Sequence, residues 1–71
     1  MLNKMALRLK MLEQSCTVKE LSQVLAISQS ALYRRLNGNV VFTVPEMLIC
    51  AKHLGLTAEE RDAIFFKDKV A

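Results

Sequence analysis

Four side chains able to donate or accept hydrogen bonds, Gln29, Ser30, Tyr33 and Arg34, stand at spacings of one, four and five residues from the first of them. On a helix, where each residue turns the chain by about 100°, these positions share an arc of about 140°. The chemistry they offer is recognition. Gln can bond adenine at two points, Arg can grip guanine at O6 and N7, and Ser serves either kind of partner. Tyr33 can join them or lay its ring on the protein. Arg35, one step further, suits a phosphate.

Residues for catalysis or metal binding are sparse. The chain has one His, no Ser–His or Cys–His motif and no Gly-rich phosphate loop, so it is not expected to be an enzyme. Cys50 and His53 are helix neighbours and Cys16 could approach them, but a closed zinc site needs four ligands and only three candidates exist, without a recognisable spacing. The expectation is no metal, no cofactor and no small-molecule ligand. His53 reads as a partner for a helix C-terminal dipole, and the two Cys as buried, reduced thiols.

The elements that must position the four side chains follow from caps and periodicity. With 71 residues, 52% of them apolar, few aromatics and no Trp, the chain has the makings of a single small all-α domain with one modest core, spanning residues 1–71. A first helix over 3–14 carries Met5, Leu9 and Leu12 at helical spacing, with Lys4, Arg8 and Glu13 on other faces. Thr17-x-x-Glu20 forms a capping box that opens a second helix through Leu21, Val24 and Leu25. Ala26-Ile27-Ser28 then makes a turn, with Ser28 capping a third helix over about 28–36. That helix has Leu32 and Leu36 as its inward stripe and closes at Asn37-Gly38. Further boxes at Thr43-x-x-Glu46 and Thr57-x-x-Glu60 start a fourth helix, ended by Gly55, and a fifth running through Phe66; residues beyond it are expected to fray.

Two short helices joined by a three-residue turn let the first brace the second and push it outward, as a helix-turn-helix over residues 17–38 requires. The charge distribution agrees. The formal net charge is +3, and the excess lies in residues 1–45, where Lys4, Arg8, Lys10, Lys19, Arg34 and Arg35 face only Glu13 and Glu20. No acid lies between Glu20 and Glu46, so that stretch would not repel phosphate. The first helix is expected to pack on the core with one or two of its basic residues near phosphate. Ala63-Ile64-Phe65-Phe66 sweeps most of a helix circumference, more than one small core is expected to cover. Ile64, Phe65 and Phe66 are therefore candidates for a dimer interface. Phe42 is expected to pack against the third and fourth helices. No run approaches a membrane span or a signal-peptide core, so no membrane partner and a cytoplasmic location are expected.

Thr17-Val18-Lys19-Glu20-Leu21-Ser22, continuing at Ile27-Ser28-Gln29-Ser30-Ala31-Leu32-Tyr33-Arg34-Arg35-Leu36-Asn37-Gly38, resembles the lambda-repressor-like helix-turn-helix family of phage repressors, Cro proteins and small bacterial regulators. The resemblance implies a five-helix DNA-binding domain with C-terminal helices over 43–66. It further implies sequence-specific binding of double-stranded DNA by a transcriptional regulator, a repressor of phage or prophage type in a bacterial cytoplasm or nucleoid, homodimeric at least on DNA. It assigns base contacts to Gln29, Ser30, Tyr33 and Arg34, and phosphate contacts to Thr17, Val18, Asn37 and Asn39. Lys19 and Arg35 are added as phosphate partners by their charge. Val18 stands where the family commonly has Gln, and Ala26 where it commonly has Gly. The alternative is a protein-interaction module of the same fold, such as an antitoxin or anti-repressor. That reading would favour apolar residues on the outward face of the third helix, where this chain is polar and basic.

Overall fold

The first turn of a helix leaves backbone N–H groups without intrahelical partners. In this chain a short polar side chain meets them at the start of each of five helices. The helices are α1 (Lys4–Glu13), α2 (Val18–Leu25), α3 (Gln29–Leu36), α4 (Val44–Leu54) and α5 (Ala58–Phe65). The computed structural model describes residues 2–66, and the expected fraying of 67–71 lies outside them. Asn3, Thr17, Ser28, Thr43 and Thr57 each accept from the backbone N–H three residues on. The boxes at Thr43/Glu46 and Thr57/Glu60 close in both directions. The one expected at Thr17 closes only halfway: Glu20 donates its N–H to the Thr17 hydroxyl, but its carboxylate turns to His53 instead.

The helix ends depend on left-handed residues. Gly38 at φ +85° follows the Asn37 cap of α3, and Gly55 at φ +68° caps α4. The turn between α2 and α3 needs the same conformation, and Ala26 supplies it at φ +58°. An L-residue there brings its Cβ too near the following carbonyl, a cost of roughly 1–2 kcal/mol. Ile27, next in the turn, packs against the core, and its N–H donates to the Ser22 carbonyl at 3.0 Å.

Packing decides what periodicity left open in α1. Met5 and Leu12 are 74% and 76% exposed and Leu9 is exposed as well, whereas Leu7 and Met11 are buried. The stripe expected to face inward therefore faces out. The segment carries two apolar stripes on nearly opposite faces, each spaced by four or so residues, and a helical period cannot rank them. Burial is fixed from outside the helix: the Asn3 N–H donates to the Ile64 carbonyl at 2.8 Å, and Lys10 is salt-bridged to Glu60, so α1 lies against α5.

The expected dimer residues of α5 are corrected in the same way. Ile64 is 2% and Phe65 5% exposed within this one chain, and Phe66 is half-buried against the core. Ala63 takes the outward position of the run, so little surplus remains. Phe65 meets Phe42 edge-on, with ring centroids 5.3 Å apart and planes at 73°, which draws the loop after α3 onto α5. α2 packs on both α3 and α4, and α4 on α5, around one core. Among the described residues the fold is all-helical, and no helix is long and apolar enough to cross a membrane.

Ala26→Gly relieves the left-handed strain at the cost of extra freedom in the unfolded chain. We expect a net stabilisation of about 0.5–1 kcal/mol, read as a higher urea midpoint at unchanged slope. A β-branched residue there, as in Ala26→Val, is expected to lower the midpoint.

Candidate nucleic-acid interface

α3 is seated by two side chains. Leu32 and Leu36 are fully buried, while Gln29, Ser30, Tyr33 and Arg34 are all exposed. The brace beneath is α2, whose Leu21 and Leu25 are buried. Ser22, also buried, satisfies its hydroxyl on the Lys19 carbonyl at 2.8 Å and brings no bulk between the helices. The four expected base-reading residues thus occupy one outward arc of a helix whose other side is anchored.

Four of the expected phosphate residues stand near the ends of that helix pair, with differing amounts to offer. Lys19 is exposed in the first turn of α2. Thr17 has committed its hydroxyl to capping. Val18 packs its side chain against the core, so what it can present is its backbone N–H at the positive end of the helix. Beyond α3, the Asn39 N–H donates to the Arg34 carbonyl at 2.9 Å, leaving the exposed side chain as its available group.

Asn37 is held by α1. The Lys4 Nζ donates to its carbonyl and an Arg8 Nη donates to its Oδ1, both at 3.4 Å. Lys4 and Arg8 are therefore the first-helix cations beside the end of α3, which the sequence placed only to within a helix. The third basic residue of α1, Lys10, is salt-bridged to Glu60 and to Glu13. Those two carboxylates, Glu60 first, raise its ammonium above the ordinary value, so Lys10 is already engaged.

Arg35 is not the free cation its position suggested. Its Nε donates to Glu46 Oε1 at 2.9 Å and its Nη1 to the Ala31 carbonyl at 3.1 Å, with only 15% of the side chain exposed. Burial by itself would raise the Glu46 carboxyl. The Arg35 guanidinium, with the Thr43 backbone and hydroxyl, outweighs that and leaves it below its ordinary range. The phosphate role expected of Arg35 is thus corrected: the residue ties α3 to α4. A single acid eleven positions away, already engaged in a capping box, gave no local sign of this partnership.

A second cluster lies where the start of α2 meets the end of α4. Cys16 Sγ, a Glu20 carboxylate oxygen and a His53 ring nitrogen all fall within 4.8 Å of one another, with His53 Nε2 2.6 Å from Glu20 Oε2. The sequence grouped His53 with Cys50 and Cys16. The packing of α2 on α4 brings in Glu20, while Cys50 is sealed in the core with its thiol pushed up to about 12, chiefly by burial. Both Cys are buried and unpaired. Burial, and then the nearby Glu20, also raises the Cys16 thiol, so both are protonated at neutral pH.

No family model, curated protein or solved structure matches the chain.

Arg35→Ala leaves the Glu46 carboxylate nearly buried without its main partner. We expect a loss of about 1–2 kcal/mol at neutral pH by urea unfolding. Because the folded-state pKa of Glu46 is depressed, its contribution is present above the ordinary value of 4.5 and lost as pH falls through the folded value. The gap between wild type and Arg35→Ala should therefore narrow in acid.

Proposed function

We propose that this chain binds double-stranded DNA in a sequence-specific manner, as a transcriptional regulator of the phage-repressor or Cro type. On this reading α2 and α3 form a helix-turn-helix, and α3 lies in the major groove. The observation that carries the reading is the outward arc of Gln29, Ser30, Tyr33 and Arg34 on a helix anchored by Leu32 and Leu36. Gln29, Ser30 and Arg34 read base edges, and Tyr33 adds a ring at the same surface. Lys19, Lys4 and Arg8 hold the flanking phosphates together with the Asn39 side chain and the first N–H groups of α2. Occupancy of an operator then blocks polymerase, with no catalytic step. A two-fold homodimer matches the half-site spacing that such proteins read. With Ile64 and Phe65 taken up in the core, its contact surface has to come from elsewhere.

One observation favours the protein-interaction reading: Met5, Leu9 and Leu12 form an exposed apolar stripe along α1. A module of this fold that serves to bind another protein would use that stripe and leave α3 idle. The two readings separate on salt. Phosphate neutralisation makes DNA affinity fall steeply with log salt, whereas an α1 interface made of apolar side chains responds little.

Selection of bound sites from a random duplex pool is expected to return a consensus with symmetric half-sites. An unenriched pool would overturn the proposal. On the selected site, Arg34→Ala is expected to weaken binding by about 1–3 kcal/mol and relax preference at one base pair. Combined loss of Lys4 and Arg8 is expected instead to weaken specific and random DNA alike and to flatten the salt slope by about one to two.

A further inference from the structure

The three donors between α2 and α4 differ in kind and come from two directions. Cys16 immediately precedes the Thr17 cap, and Glu20 sits in the first turn of α2, so one helix start carries a thiol and a carboxylate four residues apart. His53 comes from the last turn of α4 and faces them across the α2–α4 contact. Cys16 is buried and forms the inner wall, while the side chains of Glu20 and His53 keep access to solvent.

We infer that Cys16, Glu20 and His53 form a binding site for a divalent transition-metal ion of Zn2+ type. Bonds of about 2.0–2.3 Å in tetrahedral geometry place neighbouring donors roughly 3.3–3.8 Å apart. The present set spans from 2.6 Å between His53 and Glu20 to no more than 4.8 Å overall. Binding therefore needs the imidazole and carboxylate to part by about an ångström and the sulfur to close in by at most about 1–1.5 Å, which side-chain rotation supplies.

Charge and softness select the class of ion. A thiolate and a carboxylate together balance a dication, with the neutral imidazole completing the set. The thiol proton of Cys16 passes to solvent when the metal–sulfur bond forms, so no net charge is left in the seam. Hard ions such as Mg2+ and Ca2+ require oxygen ligands in larger number than the single carboxylate here. Sulfur, nitrogen and oxygen together suit Zn2+ or Co2+, with water in a fourth position on the exposed side. The ion would clip the start of α2 to the end of α4, stabilising the folded chain by an amount that grows with the logarithm of its free concentration once that exceeds the dissociation constant.

The test uses the untagged full chain, without DNA, and is therefore independent of the proposed function. Co2+ alone is titrated as a spectroscopic probe and Zn2+ alone as its competitor. Expected are one ion per chain, visible tetrahedral ligand-field bands with a thiolate charge-transfer band, their loss on adding Zn2+, and a melting temperature that climbs with Zn2+ but not with Mg2+. Cys16→Ser, Glu20→Gln and His53→Ala are each expected to weaken binding about 100-fold or more. Cys50→Ala, if folded by circular dichroism, retains it. His53→Ala alters a partly exposed side chain and keeps the test open should Cys16→Ser fail to fold. Absence of a thiolate band, equal Zn2+ stabilisation of wild type and His53→Ala, or loss of binding in folded Cys50→Ala would each overturn the assignment.

Discussion

The arrangement depends on how little of α3 is buried. Two leucines, Leu32 and Leu36, carry this eight-residue helix into the core, and fully burying a leucine is worth about 1.5–3 kcal/mol. A helix this short has little stability of its own, so its orientation rests on what grips those two side chains and what clamps its ends. α2 provides the bed, and the Arg35–Glu46 bridge ties its flank to α4. Lys4 and Arg8 fasten its C-terminal cap to α1. Such an anchorage leaves the rest of α3 facing outward.

The same anchorage sorts the cations. A basic residue engaged with a buried or nearby carboxylate is spent on holding the fold, and Arg35 and Lys10 are of this kind. Among the described residues Arg34 and Lys19 stay exposed without such a partner, and Lys4 and Arg8 donate to oxygens of Asn37, neither of which is charged. The cations left over, Lys4, Arg8, Lys19 and Arg34, thus gather around the α2–α3 pair, while Glu46 and Glu60 are neutralised in pairs that add nothing to the net charge. The proposed polyanion seat on α3 rests on this electrostatic asymmetry and not on total charge.

The contact between α2 and α4 has a different character. Glu20 gives up its place in a capping box to meet His53, so a local interaction worth a few tenths to about one kcal/mol yields to a longer-range one. The exchange gathers a thiol, a carboxylate and an imidazole at one end of the seam, beside the first turn of the helix that supports α3.

What the sequence alone determined is local. Helix starts at Thr17, Ser28, Thr43 and Thr57, stops at Gly38 and Gly55, and the inward leucines of α3 were legible because a cap or a four-residue stripe involves only neighbours along the chain. Tertiary structure decided what depends on residues far apart in sequence. It chose Leu7 and Met11 over Met5, Leu9 and Leu12 as the buried face of α1, because two stripes of similar spacing differ only in what lies across from them. It enclosed Ile64 and Phe65 in the core, Phe65 against Phe42, turned Arg35 from solvent to Glu46, and replaced Cys50 with Glu20 in the company of His53. In each case the side chain's own neighbours were silent, since burial and charge pairing are set by the approach of segments that meet only when the chain has folded.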